Sequence, residues 1–159
     1  MSAPLTWVDT RFQQNNRVAR SRLVEQVRYI GREGLYTRSL AMLANVDAAR
    51  ADLCRYALAP DWDGPVAFHR LILSVGAACP LCGQPALVRL LSGVALDDLS
   101  ALVGRDLVWL GGVHTDRDNT HAHLLLAGGD PRGRSVEIRP RALATFKVLI
   151  EHHATLLAG

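Results

Sequence analysis

The chain has little of what would tie it to a membrane or an oxidising compartment. Its cysteines number three, Cys54, Cys79 and Cys82. An odd, small count argues against a disulfide framework and fits a reducing cytoplasm. No apolar run approaches the roughly 18–20 residues that a bilayer crossing needs, so no membrane partner is expected. The first residues, MSAPLTWVDTRFQQNNR, have no apolar core and do not read as a secretion signal. Repeats and low-complexity tracts are missing. Lysine is nearly missing too: 17 of the 18 basic residues are arginine, Lys147 being the exception.

What is there is a hydrophobic fraction of 49% over 159 residues, enough for one domain with a real core. The net charge is only +3, but it is uneven. Residues 11–38 carry seven arginines against Glu25 and Glu33, and Arg132, Arg134, Arg139 and Arg141 form a second cluster. The planar guanidinium fork suits phosphate oxygens, which points toward nucleic acid. A solvated face explains such clusters as well.

Periodicity divides the chain into a partly irregular segment, 1–20, and a single domain, 21–159. SRLVEQVRYIG (21–31) puts Leu23, Val27 and Ile30 on one helical face, with Ser21 as N-cap and Gly31 as stop. Residues 39–59 read as one or two helices ended by Pro60, followed by the turn DWDGP. VAFHRLILSV (66–75) reads as a strand. Residues 84–103 read as helix, with a candidate break at Gly93. DLVWLGGVHT (106–115) and HAHLLLAG (121–128) read as paired strands, SVEIR as a short strand, and 142–157 as an amphipathic helix. The fold class expected is α+β, an antiparallel sheet of about 4–5 strands with helices packed on it.

The stretch GGVHTDRDNTHAHLLLAGG (111–129) holds three of the six histidines. On a strand, His121 and His123 point the same way, with Ala122 opposite. A hairpin would bring His114 beside them, and the three imidazoles could then converge on a divalent ion. Neutral ligands leave the ion its full charge for gripping an anion such as phosphate. Asp116 and Asp118 could orient the rings. Mg²⁺, Mn²⁺ and Zn²⁺ all suit such a site.

HTDRDNTHAHLLLAGG resembles the third motif of the conjugative relaxases, the tyrosine nickases of the HUH endonuclease superfamily. EQVRYIGREG resembles their first motif, with Tyr29 at the nucleophile's position, and FHRLILSVG their second, with Ser74 at the position that contacts DNA. The three occur in the family's order over roughly residues 20–140, and the tyrosine precedes the histidines as in relaxases. The resemblance implies an HUH-like palm and a divalent metal, Mg²⁺ or Mn²⁺ first. It implies nicking of single-stranded DNA at a transfer origin through a 5′-phosphotyrosine, together with accessory relaxosome proteins. Tyr29 would attack the phosphorus while metal held by His114, His121 and His123 stabilised the transition state. Asp116 or Asp118 would orient a ligand or accept the proton, and Arg22, Arg28 and Arg32 would track the DNA backbone. Tyr36 is the rival nucleophile. Two other readings stand beside this one: a non-nicking DNA-binding accessory or relict that keeps the fold, and a metal-dependent phosphoesterase using water.

CPLCG (79–83) departs from that pattern. Cys79 and Cys82 are half of a zinc-knuckle motif, so they are candidates for structural zinc, with Cys54 or a partner subunit completing the set. His69 is expected to be a strand histidine, and His152 and His153 surface or interface residues.

Overall fold

The computed structural model describes residues 4–38, 40–58, 64–115 and 119–159. The elements run β1 (Thr6–Gln14), α1 (Ala19–Ile30), a 3-10 turn (Gly31–Glu33), β2 (Leu35–Tyr36), β3 (Met42–Leu43), α2 (Val46–Ala57), β4 (Val66–Val75), α3 (Pro85–Val103), β5 (Trp109–His114), β6 (Thr120–Ala127) and α4 (Pro140–Ala158). They form an α+β fold. Among the described residues, six strands make one sheet in the order β1-β4-β6-β5-β2-β3, with every neighbouring pair antiparallel.

Two apolar clusters lie on opposite faces of that sheet. Ala122, Leu124 and Leu126 of β6 pack with Leu91, Leu96 and Leu99 of α3 and with Phe146 and Ile150 of α4. Leu125 and Ala127, which alternate with them, pack with Leu23, Val27 and Ile30 of α1 and Leu53 of α2. So α1 and α2 cover one face and α3 and α4 the other. This explains the leucine run after the histidines: a strand covered on both faces needs apolar side chains on both.

The structure corrects several expectations. The segment expected to be partly irregular carries an ordered strand, because β1 is a nine-residue edge strand paired along β4. Its alternation is hard to see because Trp7, Asp9 and Arg11 share a face that is left largely open. Glu151 of α4 anchors its start, accepting from the Leu5 and Thr6 amides at 2.8 and 3.0 Å and from the Thr6 hydroxyl at 2.8 Å. With β1 and the short β2–β3 pair, the strand count reaches six rather than 4–5. SVEIR makes only an isolated bridge, Ser135 to Gly129.

The helix expected from residue 39 begins at Val46, where the Asn45 side chain accepts from the Ala48 amide at 3.0 Å. Ser21 is not the cap of α1; it lies inside the helix, its hydroxyl donating to the Val18 carbonyl at 3.0 Å. Helix α3 runs unbroken through Gly93, where a Cβ would come within 2.9 Å of Leu40 Cδ2. Most of the DWDGP turn lies outside the described residues. Among the described residues, no helix is long and apolar enough to cross a membrane.

Two glycines of β5 set the geometry that follows. The Tyr36 ring lies over Gly111, where a Cβ would sit 2.6 Å from Cζ. On the opposite face, a Cβ on Gly112 would overlap the Ile30 carbonyl at the end of α1. The obstacle at 112 is backbone and cannot turn aside as a side chain would. Gly112→Ala should therefore cost about 1–3 kcal/mol or more, the usual range for overpacking. Urea denaturation would report it as a lower midpoint; a midpoint equal to wild type would mean that α1 does not sit this close to the sheet.

Candidate active site

Antiparallel register places directly opposed residues on the same face. One row across the sheet reads Trp7, Ser74, His121, His114. The adjacent row reads Asp9, Ile72, His123, Gly112. All three histidines of the quoted stretch thus share the face covered by α1 and α2. The ring centroids of His114 and His123 lie 4.4 Å apart, and those of His121 and His123 6.3 Å apart.

The close approach at Gly112 brings the end of α1 down onto this cluster. Tyr29 meets His114 and His123 edge to face, with centroids 5.3 and 5.5 Å away. Tyr29 is 41% exposed, whereas Tyr36 is fully buried on the other face, edge-on to Trp109 at 5.7 Å. Burial also pushes the Tyr36 hydroxyl well above the ordinary phenol range. Of the two candidate nucleophiles, only Tyr29 adjoins the imidazoles.

Each imidazole is set differently. His114 Nδ1 lies 3.2 Å from Arg32 Nη2, and Nε2 lies 3.2 Å from the Ile30 carbonyl oxygen. A guanidinium can only donate, so Nδ1 accepts and Nε2 carries the proton given to Ile30. His121 Nδ1 lies 2.9 Å from the Ser74 hydroxyl. Ser74 is buried, so its hydroxyl serves to orient His121. His123 Nδ1 is buried, and among the described residues it has no hydrogen-bond partner. Burial lowers the His123 pKa to about 3, assisted by His114, His121, Arg70 and Arg32.

Among the described residues, no three or more His, Cys, Asp or Glu side chains are drawn closely enough together, as they stand, to hold an ion. The donor chemistry nevertheless fits one: three imidazoles on one face, one of them with an orphaned buried nitrogen. To join a shell, His114 would have to give up its contact with Arg32 or with the Ile30 carbonyl.

The other expected residues fall as follows. Asp116 and Asp118 lie outside the described residues. The Arg32 guanidinium also stands 5.1 Å from the Tyr29 ring centroid. Arg28 is exposed near the end of α1, and Arg22 pairs with Glu25 at 3.5 Å. Cys79 is buried in the apolar cluster beneath α3, and Cys82 Sγ accepts from the Thr120 hydroxyl at 3.7 Å. Cys54 packs with the cluster on the opposite face of the sheet, so it does not complete a zinc set with them. His69 is a buried strand histidine bonded to the Val136 carbonyl at 2.8 Å, and burial lowers its pKa. His153 pairs with Asp98 at 2.6 Å, and His152 is exposed.

Four further participants were not expected from the sequence: Gly112, the Ile30 carbonyl, Arg70, whose charge acts on His123, and Glu33. The Glu33 carboxylate accepts from the Thr115 amide at 3.1 Å and its hydroxyl at 3.3 Å, tying the end of β5 to the turn after α1. The Gly111-Gly112 pair was the available signal, since glycine inside a strand often marks a close backbone approach. Comparison of the chain with family models and with curated proteins finds no match.

Two of the buried imidazoles, those of His69 and His123, contribute a pH dependence of definite sign. Both pKa values lie below the ordinary 6.5, so the unfolded chain binds more protons under acid conditions. The stability they contribute is complete above pH about 6.5 and falls with acidification, toward about 3 for His123. Each ring should cost at most about 1.4 kcal/mol per pH unit below 6.5. Denaturation midpoints at neutral and mildly acidic pH should separate, and His69→Gln and His123→Gln should each narrow the gap. An unchanged gap in both variants would contradict the buried neutral assignment.

Proposed function

We propose that this chain is a relaxase-like nickase of single-stranded DNA, acting by reversible transesterification through Tyr29. The observation that carries the proposal is the packing of a half-exposed tyrosine edge-on to two of three imidazoles on one sheet face. The palm is then of the HUH-endonuclease type. The substrate is single-stranded DNA at a transfer origin, and the setting is mobilisation of a plasmid or mobile element in the cytoplasm alongside relaxosome proteins.

The Tyr29 oxygen attacks the phosphorus, the P–O3′ bond breaks, and the 3′ oxygen takes up a proton as it leaves. The product is a 5′-phosphotyrosine with a free 3′-hydroxyl, and the reverse attack reseals the strand. A divalent ion, Mg²⁺ or Mn²⁺ first and Zn²⁺ as the alternative, would be held by His121, His123 and His114 and would polarise a non-bridging phosphate oxygen. The chain's own groups provide the positioning. Gly112 and the Ile30 carbonyl seat Tyr29 and His114, Ser74 aims His121, and Arg32 supplies positive charge beside the phenol for the incoming phosphate. Asp116 or Asp118 is the candidate for taking the tyrosine proton.

A second reading, a non-nicking DNA-binding accessory, is favoured by one observation: both nitrogens of His114 are engaged. A single experiment separates the readings. Incubation with a randomised single-stranded DNA pool and Mn²⁺ should give a covalent adduct that mass spectrometry maps to Tyr29. Tyr29→Phe should give none, and chelation should suppress it in the wild type. Cleavage without an adduct would identify a water-using phosphoesterase, and binding without cleavage the accessory.

A further inference from the structure

The face that carries the histidines is covered by α1 and α2 only in part. Toward its β1 edge it is left open, with Trp7, Asp9 and Arg11 exposed. Arg11 of β1 stands directly opposite Arg70 of β4 in the ladder. Like charges directly opposed across two strands disfavour the pairing. Arg22 of α1 joins them around a groove of about 180 Å³ that Gln26 and Phe68 also line.

These charges are poorly compensated. Among the described residues, the half-buried Arg70 guanidinium donates to Gln26 Oε1 at 3.2 Å and pairs with no carboxylate. Arg11 and Arg22 meet Asp9 and Glu25 only at 3.5 Å, in solvent-exposed pairs of little strength. The groove adjoins the histidine centre. Arg70 lies two residues along β4 from Ile72, the direct partner of His123, a step of about 7 Å along the strand. At the other end of the same face, Trp7 is 46% exposed opposite Ser74, whose hydroxyl holds His121. Guanidinia for phosphates and an exposed indole for a base are what a single strand requires, whereas a duplex hides its base faces from such a ring.

Resting on the proposed nicking function, we infer that single-stranded nucleic acid lies along this open half of the sheet, with a phosphate of the strand held by Arg11, Arg22 and Arg70 and a base stacked on Trp7. The opposed arginines are then kept for the ligand at the expense of the sheet.

Fluorescence anisotropy with a labelled mixed-sequence single-stranded DNA oligonucleotide, without divalent ion, tests this apart from any chemistry. Arg11→Gln and Arg70→Gln should each weaken binding several-fold. Each should also flatten the slope of log K against log salt by about 0.7 per lost phosphate contact. Trp7→Ala should weaken binding with the slope unchanged, and Trp7→Phe should retain most of it. Arg50→Ala on α2 should bind as wild type. Relief of the opposed charges means that Arg11→Gln should melt no lower than wild type, which a merely structural arginine would not allow. Wild-type affinity and slope in both arginine variants, or tighter binding of duplex than of single strand, would overturn the inference. If the variants lose binding but no tyrosine adduct forms, the groove stands and the nicking function falls. If the adduct forms and the variants bind normally, the reverse holds.

Discussion

The site depends on the absence of one side chain. Gly112 lies in a buried strand where any Cβ would collide with the Ile30 carbonyl. Because nothing stands there, the last turn of α1 rests directly on β5. That contact places Tyr29 over the imidazoles, turns the Ile30 carbonyl toward His114 Nε2, and brings Arg32 to Nδ1. Glu33 then clamps the following turn to Thr115. A run of five residues, 29–33, thereby contributes four groups to the centre, and it does so through backbone proximity.

Positive charge gathers close to the imidazoles. Three imidazoles sit with Arg32 and Arg70, and the charge around His123 favours its neutral form. A pocket of this kind repels further cations until an anion arrives, and neutral rings are the state in which imidazole binds metal. Under the proposed function, phosphate would satisfy both demands: it would pair with the guanidinia and share its oxygens with an ion.

The period of a strand was enough to predict that His121 and His123 share a face, and the hairpin to bring in His114. Helices α1, α3 and α4 were legible from apolar spacing, as was the α+β class. Strand β1 was not, because an edge strand with one open face presents Trp7, Asp9 and Arg11 where a pattern search wants a clear apolar–polar alternation. The two-residue strands β2 and β3 carry no periodic signal at all. The partners of the imidazoles were hidden for a different reason. Ser74, Arg32 and the Ile30 carbonyl reach the rings only through tertiary approach, which the glycine pair hinted at without naming its neighbour.

The central claim is that one tyrosine and three imidazoles form a single metal-supported centre for a phosphate. A crystal structure with Mn²⁺, located by its anomalous signal, tests it most directly. The account predicts an ion within about 2.0–2.3 Å of ring nitrogens of His121 and His123, with Tyr29 still packed against the cluster. It also predicts that the Arg32–His114 contact opens or rearranges. An ion bound elsewhere, or none at saturating Mn²⁺ with the rings unmoved, would contradict it.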